Sequence, residues 1–241
     1  MNFIDIHTHI LPGVDDGAQD LEQSVRMLMM AQQQGTEAMI LTPHNKPEQI
    51  NAPPDKLRKR LAKLQKITQE LDIPIQLYAG MEIDYRDGVA ALLETGELLT
   101  LADSQYVLVE FHPQREFSYM RNAIYELTSY GFTPILAHVE RYEFVMAQKE
   151  RLAYFLEHGA LLQINANSIT TQKVPSTKKM LKYLLKEHMI HFVASDAHNE
   201  KERNPQLINC ARYLEKKVGK HYTQSLLYDH AQMILEHESL Y

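Results

Sequence analysis

Two imidazoles stand two positions apart in His7-Thr8-His9, and a pair of carboxylates, Asp15-Asp16, follows within the next loop. Residues i and i+2 of an extended segment share a face, so both rings can point the same way. Taken alone, such a pair is a weak metal signal. The chain repeats the theme, however, at His44, Glu82, Glu110, His138, Asp196 and His198. With His7, His9 and Asp16 these make nine candidate ligands, five imidazoles and four carboxylates with no thiolate. That donor set suits manganese, iron or zinc rather than copper(I) or an iron–sulfur cluster. Nine donors exceed the need of one ion, so two or three divalent cations are expected. Two cations would neutralise the four carboxylates, whereas three would leave about +2, a charge matched to a phosphate dianion. Arg141 and Arg203 lie close in sequence to His138 and His198 and supply planar guanidinium groups for the same anion.

These residues share a position in a repeating pattern. Short apolar runs at 3–7, 38–42, 75–83, 106–111, 134–138, 161–165 and 191–195 read as strands buried on both faces. Helical periodicities lie between them, near 21–34, 55–71, 119–130, 149–158, 177–188, 205–218 and 222–236, with a shorter one at 87–95. Asp20 is placed to cap the first, Gly35 to stop it, and Pro54-Asp55 to open the second. The apolar stripes, including Met27, Met29 and Met30, are read as helix faces packed on a sheet. Six of the seven strands end in a histidine or an acid, and the sixth ends in Asn165 and Asn167. Parallel strands gather such ends on one rim. A carboxylate such as Glu110 at the end of an apolar strand needs a partner there, because an unpaired buried charge is costly. The expectation is a (β/α)7 TIM-like barrel formed as one domain over residues 1–241, with the site at the C-terminal strand ends. An open doubly wound sheet is the alternative. His158, His188, His221, His230 and His237 fall in helices or their ends and are expected on the surface. His191 begins a strand at the far end, and His112 stands near Glu110 as a supporting candidate.

Composition closes off several classes. The 241 residues are 44% hydrophobic and 23% charged, average values that exclude a disordered or fibrous chain. A formal net charge of −6 gives no attraction to nucleic acid or anionic lipid. One cysteine permits no intrachain disulfide, and neither a leader-like N-terminus nor an 18-residue apolar run is visible, so a cytoplasmic location is expected.

The run Ile-Asp-Ile-His-Thr-His-Ile-Leu-Pro-Gly-Val-Asp-Asp-Gly at 4–17 resembles the start of the PHP (polymerase and histidinol phosphatase) superfamily. More narrowly, the chain resembles the bacterial PHP-type protein-tyrosine phosphatases of capsule and exopolysaccharide loci, the CpsB/CapC type. The matches at 42–44, 80–83, 108–111, 137–142 and 194–199 fall in that family's order. The resemblance implies a distorted (β/α)7 barrel with a manganese-dependent, trinuclear site built from the nine residues above, with Arg141 and Arg203 on the phosphate. It also implies a phosphotyrosine protein as substrate, a membrane-linked bacterial tyrosine kinase of polysaccharide export. Two departures bear on substrate choice: Asn45 stands where relatives often carry a second histidine, and 169–175 lacks their Gly-x-Phe-Gly element.

The expected chemistry is direct hydrolysis by a hydroxide bridging two metals, with no side-chain nucleophile. A cysteine route fails on spacing, since Cys210 is followed six residues later by Lys216, not arginine. Rival readings are a histidinol-phosphate phosphatase, a PHP-type exonuclease, an amidohydrolase, and a degenerate module that binds its kinase without catalysis. No lysine stands at a strand end to bridge amidohydrolase metals, and all nine ligand positions keep a competent side chain.

Overall fold

The computed structural model describes residues 1–49 and 51–240. Among them, nine strands are all in parallel register. They are β1 Phe3–Thr8, β2 Thr36–Leu41, β3 His44–Asn45, β4 Gln76–Ala79, β5 Glu82–Asp84, β6 Tyr106–Glu110, β7 Thr133–Leu136, β8 Leu161–Asn165 and β9 Phe192–Ala194. The neighbour order is β1-β2-β4 in one sheet and β3-β5-β6-β7-β8-β9 in the other. A parallel bridge from Thr8 to Ala197 sets β1 beside the end of β9. The result is a mixed α/β fold around a curled parallel sheet, whose strands all end on the same side.

The run expected as one strand over 75–83 is two strands, β4 and β5. The break falls at Gly80, whose N–H donates to Leu41 O at 2.9 Å. A Cβ there would come within 2.9 Å of both the Ile40 and Leu101 side chains, so the close approach admits only glycine. The neighbouring ladder breaks in step, because Pro43 has no N–H to donate. After both breaks His44 pairs with Glu82 across β3 and β5, side by side.

The helices are α1 Leu21–Gln33, α2 Pro54–Glu70, α3 Val89–Glu94, α4 Phe117–Ser129, α5 Glu143–Met146, α6 Lys149–Glu157, α7 Ala166–Thr171, α8 Pro175–Lys186, α9 Ile208–Val218, α10 Lys220–Gln224 and α11 His230–Leu235. Asp20 caps α1 by accepting from Gln23 N at 2.8 Å, and Pro54 opens α2, as expected. The expected last helix is interrupted by a π turn, Ser225–Asp229. α5 and α7 are absent from the sequence-based expectation, being too short for a helical period to register.

Strand alternation feeds two apolar clusters. In β6, Val107 and Val109 join the larger cluster with the helices, while Tyr106 and Leu108 join the second with Ala231 and Ile234. Not all of the expected stripes are buried. α1 buries Ser24, Met27, Leu28 and Ala31, and Met29, one residue past Leu28, rotates out to 45% exposure. Leu21 and Leu71, at helix ends, are likewise exposed. No helix among the described residues is long and apolar enough to cross a membrane.

Candidate metal centre

All nine candidate ligands converge at the ends of the strands. His7 lies on β1 and His9 just beyond it, held by its own N–H on Ala197 O at 2.8 Å. The loop then folds back on His9. Asp15 turns the chain by accepting from Gly17 N, and its Oδ2 meets His9 Nδ1 at 2.7 Å and the His44 N–H at 3.1 Å. A Cβ at Gly17 would fall 2.0 Å from His9 O, so no other residue fits the fold-back. At the other strand ends, His138 and Asp196 adopt left-handed backbone, with φ of 34° and 52°. For residues other than glycine this costs about 1 kcal/mol or more, a strain that clusters at functional sites.

Glu82 is the hub and is fully buried. Its Oε1 lies 2.7 Å from His138 Nε2 and 3.2 Å from His7 Nε2, and its Oε2 lies 2.9 Å from His44 Nδ1 and 3.2 Å from His9 Nε2. Glu110 meets the same edge of His44 at 3.1 Å. Asp196 Oδ1 sits 3.6 and 3.5 Å from the Nε2 atoms of His7 and His9. Asp16, at the mouth, reaches His44 and His198 at 3.4 and 3.5 Å.

Three groups of donors lie within cation-binding reach of one another: His9, Asp16, His44 and His198; His7, His9 and Glu82; and His44, Glu82 and Glu110. Three residues recur between groups, as a multinuclear site requires. The donor chemistry also fits. Eight buried side-chain polar atoms among the described residues make no hydrogen bond of proper geometry, and five belong to candidate ligands: His44 Nδ1, Glu82 Oε2 and Glu110 Oε1, the two oxygens crowding that nitrogen at 2.9 and 3.1 Å, together with His138 Nδ1 and His198 Nε2. Such orphans are rare in folded proteins and call for an ion or another partner. His7 Nε2 and His9 Nε2 face each other at 3.2 Å. Two nitrogens each about 2.1 Å from a shared cation would be separated by a similar distance.

The local field attracts positive charge. Burial opposes protonation of His7, but Glu82 and Asp196 outweigh it and raise its pKa to about 9. Burial likewise opposes His44, which Glu110 and Glu82 raise to about 10. The acids respond in kind. The close approach of His198, at 3.5 Å, holds Asp16 well below the usual carboxylate range. Burial pushes Glu82 up, but the surrounding histidines prevail and keep it ionised. Divalent cations would take over the charge that protons supply here.

Residues outside the nine hold this geometry. Gln163 Oε1 lies 3.1 Å from His7 Nδ1 and accepts from His138 N at 2.9 Å. Its amide nitrogen donates to Asn165 Oδ1 at 2.9 Å, and Asn165 Nδ2 donates to Asp196 Oδ2 at 2.7 Å. With the Gln163 oxygen on Nδ1, the Nε2 of His7 is left to face the cluster. Sequence reasoning passed over Gln163 as one polar residue inside an apolar strand; its position two residues before Asn165, on one strand face, was the available signal. Asp15 was overlooked beside Asp16 for lack of any feature to separate them. Because Asp15 is buried and held ionised, three cations would leave the five carboxylates at about +1 before the arginines are added.

Arg141 and Arg203 reach the site through Asp196, donating from Nη2 to its two oxygens at 2.7 and 2.8 Å. His112 is outside the cluster; it is exposed, and its Nδ1 accepts from Gln114 N. His158, His188, His221 and His237 are exposed as expected, but His230 is half-buried against His191 O at 2.7 Å. Asn45, the departure next to His44, is buried and accepts from Arg86 Nη1 at 3.1 Å.

With this site in place, the comparisons are direct. The family model described as "Capsular polysaccharide synthesis, CpsB/CapC" matches residues 3–236. The chain belongs to the CpsB/CapC family. Tyrosine-protein phosphatase YwqE of Bacillus subtilis strain 168 is 34% identical to it over 245 residues, spanning 99% of this chain and 93% of that protein. Tyrosine-protein phosphatase CpsB of Streptococcus agalactiae serotype V is 31% identical over 238 residues, spanning 97% and 98%. A crystal structure from work on YwqE and on CpsB of Streptococcus pneumoniae, described as unique metal-dependent tyrosine phosphatases, superposes with a TM-score of 0.91. It is 34% identical and covers 99% of this chain and 96% of its own. Histidinol phosphate phosphatase from Lactococcus lactis, solved with zinc, L-histidinol and phosphate, shares the fold of this CpsB/CapC chain at a TM-score of 0.59 and 17% identity, over 91% of this chain and 95% of its own.

Proposed function

We infer that this chain is a metal-dependent tyrosine-protein phosphatase acting in capsule or exopolysaccharide synthesis. The observation that carries the reading is the convergence of metal-competent side chains between His7 and His198, seven of them in three donor groups with His138 and Asp196 in contact with those groups, in a chain with tyrosine-phosphatase relatives along its whole length. Two or three divalent ions, manganese foremost with iron or zinc as alternatives, would be held by His7, His9, Asp16, His44, Glu82, Glu110, His138, Asp196 and His198. When bound, they supply Lewis-acid charge and lower the pKa of water from 15.7 toward about 7.

The chain's own groups do the rest. Each guanidinium of Arg141 and Arg203 spends an Nη2 on Asp196 and keeps further N–H donors for a phosphoryl group. Their hold on Asp196 fixes them where negative charge would accumulate in the transition state. The phenolate leaving group, with a free pKa of about 10, needs less acid assistance than an alkoxide.

The proposal extends to the architecture and setting. Counting β2 with β3, and β4 with β5, as interrupted single positions gives a (β/α)7 barrel, one domain over residues 1–241, with the metal centre at its C-terminal rim. The substrate would be a cognate membrane-linked bacterial tyrosine kinase met at the cytoplasmic face. The deciding experiment measures metal content per chain together with hydrolysis of a phosphotyrosine peptide, using histidinol phosphate as the control substrate. Chelator-sensitive, manganese-restored turnover of the peptide is expected. Metal-independent turnover, or exclusive turnover of histidinol phosphate, would refute the assignment.

A further inference from the structure

Charge is segregated along this chain. Residues 141–186 carry eight lysines and arginines against three glutamates, inside a protein of formal net charge −6. The stretch begins at Arg141, which holds Asp196, and contains α5, α6, α7 and α8. Lys173 precedes α8, and Lys178, Lys179, Lys182 and Lys186 are exposed along it. Among the described residues only Lys186 of these five makes an ion pair, with Glu187 at 3.9 Å.

Between the α5–α6 segment and α8 lies a groove of about 550 Å³, its apolar surface supplied by Met146, Met180 and Tyr183, with Lys149, Lys179 and Glu150 also lining it. Lys149 Nζ stands 5.7 Å from the centre of the Tyr183 ring. Neither lysine is in an ion pair among the described residues. Two exposed apolar side chains, Phe144 at 47% and Val174 at 52%, belong to the same two segments. Met146 follows Arg141 by five residues in the chain.

We propose that this groove docks the acidic segment of the phosphoprotein that flanks the phosphotyrosine. The inference rests on the phosphatase reading above and adds the substrate's flanking chemistry. Lys149 and Lys179 engage carboxylates, and an aliphatic or aromatic side chain fills the space over Met146, Met180 and Tyr183. Met and Tyr surfaces adapt to varied apolar groups, which suits a peptide site. Glu150 repels an acid at its own position and so helps to fix the peptide's register. A concave apolar surface between two lysines fits a side chain projecting from a peptide better than a flat lipid headgroup layer.

The test compares phosphotyrosine peptides that differ only in their flanks (glutamate, alanine or lysine) with p-nitrophenyl phosphate as a substrate that has no flanks. The manganese-loaded full chain is used for kinetics, and peptide binding is followed by fluorescence anisotropy. Glutamate flanks should lower KM about tenfold against alanine at low salt, with kcat unchanged and the advantage shrinking as salt rises. The double variant Lys149→Ser/Lys179→Ser should erase that advantage, and Met180→Ser should raise KM at every salt concentration. Both should keep wild-type turnover of p-nitrophenyl phosphate, which also reports that they are folded.

Equal KM values for all flanks, or a double variant that retains the preference, would overturn the proposal. So would a double variant that loses sedimentation with phosphatidylserine vesicles while its peptide kinetics stay unchanged, because the lysines would then serve a membrane surface. If wild type hydrolyses neither substrate, the phosphatase reading fails, and anisotropy with the same peptides still decides whether acidic flanks dock.

Discussion

His7 and His191 are both buried on strands or strand ends of the same fold, yet their surroundings drive them in opposite directions. Burial lowers the pKa of each. At His191 nothing reverses it, and the neighbouring His230 adds to it, so the value falls to about 3. At His7 the carboxylates of Glu82 and Asp196 reverse it to about 9. One end of the fold is built to gather positive charge, and the other keeps its histidine neutral, with Nδ1 accepting from Leu162 N at 3.2 Å. The same residue type thus marks a candidate ligand or a structural acceptor, depending on whether acids share its burial.

That contrast is broken most severely by Glu82→Gln, which removes the charge touching His7, His9, His44 and His138. Turnover should fall by about a thousandfold, and elemental analysis should show fewer metal ions per chain. Gln163→Leu leaves every ligand in place but removes the oxygen that meets His7 Nδ1 and His138 N, and the amide that holds Asn165 against Asp196. Manganese affinity should weaken about 10- to 100-fold in a metal titration, with much of the kcat returning at saturating metal. A variant that binds manganese as tightly as wild type would remove Gln163 from this role.

At the opposite end the effect is on stability. His191 stays neutral in the fold down to about pH 3, whereas in the unfolded chain it protonates near 6.5. The unfolded state therefore takes up the extra proton as pH falls. The contribution of His191 is complete above about pH 6.5 and is lost between there and pH 3, at up to about 1.4 kcal/mol per pH unit. Denaturant melts at pH 7.5 and pH 5 should show this loss in wild type and a smaller one in His191→Asn. The smallest effect belongs to Cys210→Ser. Cys210 is buried in α9, and burial pushes its thiol pKa up. Turnover should stay within about twofold, with a stability cost of about 1 kcal/mol read by melting. A large loss of turnover would restore a cysteine route.

The clustering of the candidate ligands was legible because histidines and acids at the ends of apolar runs are conspicuous, and a parallel sheet brings distant strand ends together. The supports were not. Gln163 differs from an ordinary polar residue only through partners far off in the chain, such as His7, 156 positions away, and Asp15 only through the way its loop folds back on His9 and reaches His44 N. The strand is interrupted at Gly80, where a Cβ would run into Ile40 and Leu101, a tertiary closeness that no local pattern contains. The face of α1 was misread at Met29 because hydrophobicity alone does not say which side meets the sheet.

The meeting of β1 with β9 carries one more implication. His9 N donates to Ala197 O, Asp196 N to His7 O at 2.9 Å, and Ser195 N to Asp5 Oδ1 at 3.1 Å. These links tie the first ten residues to a segment near 196, and the candidate ligands His7, His9, Asp196 and His198 stand on both sides of the same join. Cations gripped there would act as a clasp between the first strand and the segment that follows β9, so that emptying the centre should loosen amide hydrogen exchange first along this edge rather than in the interior strands.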